Sequence, residues 1–144
     1  MESWCRFVSG AAAGLAAVFA PVAPMIVCAM LFIGVDFVTG IAADRAATRR
    51  AGGTWYFESR KAWRTVLKLA LTLTAIVMAW LLDRYVLDFL HLNAARLFTG
   101  FTCGVEFWSF LENAAQISDA PVFRWLRRYV RQRIVQQTGI EPER

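Results

Sequence analysis

Two carboxylates stand where carboxylates are costly. Asp36 is the only charge in the apolar run 25–43, and Glu106 shares the run 95–111 with Arg96 alone. An acid at the centre of a membrane helix costs roughly 2.5–3.5 kcal/mol even on the lower insertion scales. Such groups can exchange protons, line an ion path, or hold a basic side chain inside the protein. Each begins a polar stripe. Asp36, Thr39, Gly40 and Ala43 fall three or four apart on one helix face, and so do Glu106, Ser109 and Asn113. A cation is at hand in Lys68, the last of Arg60, Arg64 and Lys68 at four-residue spacing. The pattern predicts an intramembrane network of Asp36, Lys68 and Glu106, joined by Thr39 and closed by Ser109 and Asn113. Two roles stay open: an ion-pair and hydrogen-bond clamp that specifies the fold, or the lining of a hydrated pore or gate.

Other chemistry has little to stand on. Nothing supplies an activated nucleophile or a phosphate-binding loop, and His91 stands alone at an external turn, so no enzyme activity is expected. Neither a cofactor nor a metal is expected. The spacing of Cys5, Cys28 and Cys103 suits neither a disulfide framework nor a metal knuckle. Cys28 and Cys103 lie in apolar runs and read as small hydrophobic packing residues.

The elements that must position these groups are membrane helices. The chain has 144 residues, 58% hydrophobic and 19% charged, and its apolar residues are blocked into long runs. A soluble domain of this length carries more charge and a more scattered apolar pattern. The sequence predicts an all-α membrane protein, a four-span helical bundle with spans near 7–23, 25–43, 64–82 and 95–112. Pro21 and Pro24 bracket a tight turn between the first two spans, because proline disfavours the helical conformation of the residue before it. A loop is expected from Asp44 to about Ser59, with Gly52-Gly53 as a breaker.

The net charge of +5 is concentrated outside the runs. Arg45, Arg49, Arg50, Arg60, Lys61, Arg64 and Lys68 crowd the middle loop and the start of span three. Arg124, Arg127, Arg128, Arg131 and Arg133 crowd the tail, while the turn 21–24 has no charge. Short basic loops stay cytoplasmic. A multi-pass protein of the bacterial cytoplasmic (inner) membrane is therefore expected, with both termini on the cytoplasmic side. The tryptophans Trp4, Trp55, Trp63, Trp80, Trp108 and Trp125 fall mostly near span ends, as interfacial anchors do.

Residues 1–117 form the expected membrane domain, 119–138 a basic amphipathic helix, and 139–144 a flexible tail. Asp119 can cap that helix, Pro121 fits its first turn, and Gly139 and Pro142 can stop it. Arg124, Arg127, Arg128 and Arg131 suit the anionic cytoplasmic leaflet; nucleic acid is not an expected partner. Gly10 and Gly14 share a face in span one, and Gly100 and Gly104 share one in span four; Gly40 lies on the Asp36 stripe. Small faces allow close helix approach. Packing within one compact bundle and homo-oligomerisation stay open for them.

The segment Asp36-Phe37-Val38-Thr39-Gly40 resembles the signature of the toxin-secretion and phage-lysis holins (phage holin family 4), an aspartate followed by Thr-Gly at the end of an early span. Glu106-Phe107-Trp108-Ser109-Phe110-Leu111-Glu112-Asn113, with Pro121 downstream, is similar to that family's second motif. Ser59 and the basic run Lys61, Arg64 and Lys68 look like its segment before the next span, although the family's usual glycine there is missing. In order, these elements cover roughly residues 31–121; the long basic helix after Pro121 is less typical. The resemblance implies a small inner-membrane protein that oligomerises and permeabilises the cytoplasmic membrane. Its functional partner would be a muralytic endolysin or another released protein. It implies no catalytic residues. A non-lytic membrane scaffold or narrow channel, with structural carboxylates and a partner-binding cytoplasmic helix, is the alternative.

Overall fold

A computed structural model describes residues 2–90, 92–118 and 120–138. The expectations placed on His91, Asp119, Gly139, Pro142 and the tail 139–144 lie outside the described residues. Among the described residues five α-helices follow one another: α1 (Glu2–Phe19), α2 (Ala23–Arg50), α3 (Ser59–Tyr85), α4 (Ala94–Ile117) and α5 (Pro121–Thr138). A single 3-10 turn, Asp88–Leu90, lies between α3 and α4. Among the described residues there is no strand.

The turn between α1 and α2 follows from its prolines. Val22 and Ala23 donate their backbone N–H groups to the carbonyls of Phe19 and Ala20, and Pro24 occupies the first turn of α2. Proline fits there because an N–H at that position has no intrahelical acceptor. The expected loop at Asp44 begins later. The helix runs on to Arg50, because Ala-Ala-Asp-Arg-Ala-Ala-Thr-Arg-Arg is a good helix-forming stretch and basic side chains suit a helix C-terminus. Gly52, at φ +71°, then turns the chain in a backbone region that disfavours any residue with a Cβ.

The bundle proper is α2, α3 and α4. The seam of α2 with α4 is the most extensive, α3 packs on both, and α5 packs on α4. Cys28 faces Cys103, and Asp36 faces Asn113, so α2 and α4 run parallel. At one end the core consists of Val22, Ala29, Ile76, Trp80 and Ala95. Trp80 is thus a core residue packed against the α1–α2 turn, with its ring 6.0 Å from that of Phe19, and not the interfacial anchor its type suggests. Ile33, one turn before Asp36 on α2, and Leu111, between Glu106 and Asn113 on α4, are also buried. The other end is polar.

The first helix departs from the compact bundle expected. Every described side chain of α1 is exposed, and Gly10 and Gly14 meet no atom within 4 Å. Gly100 and Gly104 are likewise open, so of these helix-face glycines Gly40 alone packs within the chain, where a Cβ would lie 3.5 Å from Asn113 Nδ2. The reason is that no hydrophobic force pulls a fourth apolar helix onto the other three in lipid, and α1 offers them no polar partner.

Two helices, Ala23–Arg50 and Ser59–Tyr85, are long and apolar enough to cross a membrane. At about 1.5 Å per residue, the 18 residues of α1 reach roughly 27 Å, short of a hydrocarbon core of about 30 Å. With 24 residues α4 is long enough, but Arg96, Glu106, Glu112 and Asn113 dilute its apolar content. The outer surface is inside-out for a water-soluble protein. Leu31, Val38, Leu71, Met78, Phe101 and Val105 are among the many large apolar side chains that face outward. A continuous apolar exterior of this kind belongs against lipid or another protein.

Candidate functional site

The polar end of the bundle is built around one ammonium group. Lys68 Nζ, on α3, lies 2.7 Å from Glu106 Oε2 on α4 and 3.6 Å from Asp36 Oδ2 on α2. The shorter contact is a charge-assisted hydrogen bond; the longer one is an ion pair. The two carboxylates are well covered, with side-chain exposures of 15% for Asp36 and 7% for Glu106. Lys68 keeps 42% of its side chain open. The network therefore has a covered acidic floor and an uncovered basic edge.

Asn113 ties the second seam. Its Nδ2 donates to Asp36 Oδ1 at 3.0 Å and approaches the Asp36 carbonyl and Thr39 Oγ1, each at 3.4 Å. Thr39 Oγ1 in turn donates back to the carbonyl of Val35 or Asp36, at 2.8 and 3.0 Å. The local reason is helical spacing. Asp36, Thr39 and Gly40 share a face, and Gly40 packs beside Asn113, where a Cβ would be in ordinary contact at 3.5 Å and a larger side chain would collide. Ser109 lines the adjoining cleft without joining the bonded set. That cleft is about 390 Å³ and includes Asp36, Gly40, Asp44, Lys61, Ser109 and Asn113. It leads from the network towards the α2–α3 loop.

Several contacts were not legible from spacing alone. Lys61 Nζ meets Asp44 Oδ2 at 2.7 Å, because the loop 51–58 is short enough to bring the two helix ends together. Each holds the other charged: Lys61 lowers the Asp44 carboxyl from its ordinary value, and Asp44 raises Lys61. Arg50 donates to the carbonyl of Gln116 across the α2–α4 seam. Asp83, at the end of α3, accepts the backbone N–H groups of Ala94 and Ala95 at 2.9 and 2.8 Å. It caps α4 from another helix. Asn93, in the left-handed conformation at the cap position, makes no side-chain cap bond of its own. An acid closing one helix shortly before the next begins was the available signal. Cys28 and Cys103 face each other with sulfurs 3.8 Å apart.

The basic stripe of α5 is placed differently from the network. Arg124, Arg127 and Arg128 are exposed and Arg131 is half-buried, while Phe123, Leu126 and Val130 are half-buried. Trp125 stacks on Tyr129 at 5.5 Å, and the guanidinium of Arg133 lies over the Tyr129 ring. Among the described residues no group of His, Cys, Asp and Glu is arranged to hold a metal ion. The arrangement can hold charge inside an apolar bundle and hydrate one edge of it. It does not present a nucleophile beside a base.

Comparison with curated proteins and with solved structures gives no match. Comparison with protein families gives one that covers residues 13–133. The match takes in the Asp36 and Glu106 motifs and the Lys68 segment. It reaches further than the motifs do at both ends, into α1 and through most of α5. The family is not enzymatic and its members act in membranes. The chain belongs to the bacteriophage holin family.

Proposed function

We propose that this holin-like membrane protein crosses the bacterial cytoplasmic membrane four times with both termini inside. There it self-associates and opens a lesion through which an endolysin or another protein passes. The carrying observation is the lopsided network. Lys68 satisfies Glu106 and Asp36 on its inner side and leaves two-fifths of its side chain open on the other. A lysine side chain left partly open at this depth is costly against hydrocarbon, which favours water, headgroups or a second copy beside it. That edge is where a lumen or a subunit contact forms.

Two further features support the reading. A four-span path with both termini inside would put the cation-rich ends of α2 and α3 and the arginines of α5 on one side of the membrane and the uncharged turn 21–24 on the other, as the charge bias of short loops favours. The Arg124, Arg127, Arg128 and Arg131 side of α5 then rests on anionic headgroups. Residues 1–117 act as the membrane domain and 119–138 as a surface helix.

Induced expression tests this directly. Membrane potential should collapse and growth stop after a delay, during which protein accumulates in the inner membrane. Accumulation with potential and viability intact would rule lesion formation out.

One observation favours a second reading, a non-lytic scaffold or narrow channel. The ion pairs close within a single chain, so the carboxylates can be structural. The α5 helix would then hold a cytosolic partner. Detergent pull-down should in that case recover a stoichiometric soluble protein, and only when α5 is intact.

A further inference from the structure

Away from the ion-pair network, two thiols meet on the α2–α4 seam. Cys28 and Cys103 are both half-buried, and their sulfurs are 3.8 Å apart. A disulfide needs about 2.05 Å between sulfurs, so side-chain rotation with a small helix adjustment must close the remainder. Ala29, next to Cys28, is fully buried and holds α2 in place, so the adjustment falls to α4, where Gly104, next to Cys103, has open space at its Cβ position. The third thiol, Cys5, is exposed on α1 and remote in sequence from this seam.

The height of the pair also matters. Cys28 precedes Asp36 by eight residues and Cys103 precedes Asn113 by ten, on parallel helices. At about 1.5 Å per residue, the thiols lie roughly 12–15 Å from the Asp36–Asn113 contact. They sit towards the apolar end of the bundle, away from the basic segments. A water-soluble cytosolic reductant reaches that level poorly, and a lipid-soluble oxidant reaches it well.

We propose that Cys28 and Cys103 are a modification site: a dithiol that closes to an intramolecular disulfide and fastens α2 to α4. Each thiol gives up one proton and one electron, the S–S bond forms, and both protons and both electrons pass to a lipid-soluble two-electron acceptor of the quinone class. The acceptor leaves as its hydroquinone. The product joins two helices across a long stretch of sequence, where a crosslink restricts the unfolded chain most. In the reduced state only packing and the polar contacts hold the seam.

The test uses full-length protein in liposomes, in a Cys5→Ser background so that exposed thiols do not crosslink copies. A membrane-permeant diazene oxidant, diamide, serves as the probe, and thiols are counted afterwards by maleimide–polyethylene glycol in denaturant. The expected count falls from two to zero in the monomer band and returns to two with dithiothreitol. With Cys28→Ser or Cys103→Ser added, the one remaining thiol should persist in the monomer. The oxidised protein should also unfold at a temperature higher by about 5 °C or more than the reduced protein. Two tags surviving the oxidant, or tags lost only into a covalent dimer, would overturn the site. A disulfide that leaves the unfolding temperature unchanged would overturn its role as a fastening. Neither readout depends on lesion formation, so this proposal and the lesion proposal can fail separately.

Discussion

The α2–α4 seam and helix α1 are both rich in small residues, yet only the seam uses them within the chain. Gly40 packs beside Asn113, which bonds Asp36, whereas Gly10 and Gly14 face open space. The difference lies in the polar groups. In lipid, apolar surface gives helices no reason to prefer one another over acyl chains, so polar contacts and close packing choose the pairs. The seam carries Asp36, Glu106 and Asn113, and Lys68 fits between the carboxylates. Along α1 the charges Glu2 and Arg6 pair with each other near the helix start, 3.8 Å apart and almost fully exposed. A small face without a polar residue is left over for another molecule.

The largest effect should come from breaking the seam's charge balance. Lys68→Met removes the cation, which leaves Glu106 without its ion pair and Asp36 with only the Asn113 amide. Breaking a fully buried pair costs about 3–5 kcal/mol; the open edge of Lys68 reduces this to about 2–4 kcal/mol. Unfolding of the detergent-solubilised helices, followed by circular dichroism, should show the loss. An unchanged midpoint would place the stability of the seam in its packing instead.

A matched pair of glycine changes sharpens the comparison. Gly40→Leu drives a branched side chain into Asn113 and should destabilise the bundle by about 1–3 kcal/mol. Gly14→Leu meets nothing and should leave the unfolding midpoint within about 0.5 kcal/mol of wild type. If α1 pairs between copies, Gly14→Leu should nevertheless abolish the detergent-stable oligomer seen by crosslinking. Equal destabilisation by both changes would show that α1 packs on its own bundle.

Smaller effects lie at the helix ends. Asp83→Ala strips the cap from Ala94 and Ala95 and should cost about 1 kcal/mol. Hydrogen exchange should quicken in the first turn of α4 but not in α2. The weakest test concerns Asp44 and Lys61, which are exposed and screened by salt. The lowered Asp44 value means its contribution is complete above its ordinary value of 3.8 and is lost as pH falls through the lowered one. The raised Lys61 value means its contribution is complete below 10.5 and is lost as pH rises through the raised one. The difference in midpoint between wild type and Asp44→Asn should therefore stay constant from pH 5 to pH 9 and shrink in stronger acid. A difference that persists undiminished at pH 2 would mean that shape, not charge, matters there.

Sequence spacing made the helices and the polar partners legible because both are periodic. Asp36, Thr39 and Gly40 share a face by arithmetic, and an isolated carboxylate demands a cation, of which Lys68 was the one deepest in a span. The isolation of α1 was not legible, since a glycine pair four apart looks the same whether its partner is in the chain or outside it. The continuation of α2 to Arg50 was obscured because charge was read as the end of a span, although a helix can outlast its apolar stretch. Contacts between residues far apart in sequence, such as Asp83 with Ala94 or Cys28 with Cys103, depend on register, which composition does not carry. Trp80 shows the same limit: near a span end an indole can anchor to headgroups or fill a core, and only its neighbours decide.

The central claim is that Asp36 and Lys68 clamp the bundle, and that assembly depends on the clamp. Blue-native electrophoresis of wild type, Asp36→Leu, Lys68→Met and the double variant tests it most directly, with topology checked by cysteine accessibility. Both single variants should insert with unchanged topology and lose detergent-stable assembly. The double variant should recover only part of it, because the desolvation costs of Asp36 and Lys68 are gone but Glu106 loses its 2.7 Å partner and must be neutralised by a proton. Wild-type assembly by Asp36→Leu, with ion flux alone altered, would contradict the clamp and place Asp36 on a wet lumen.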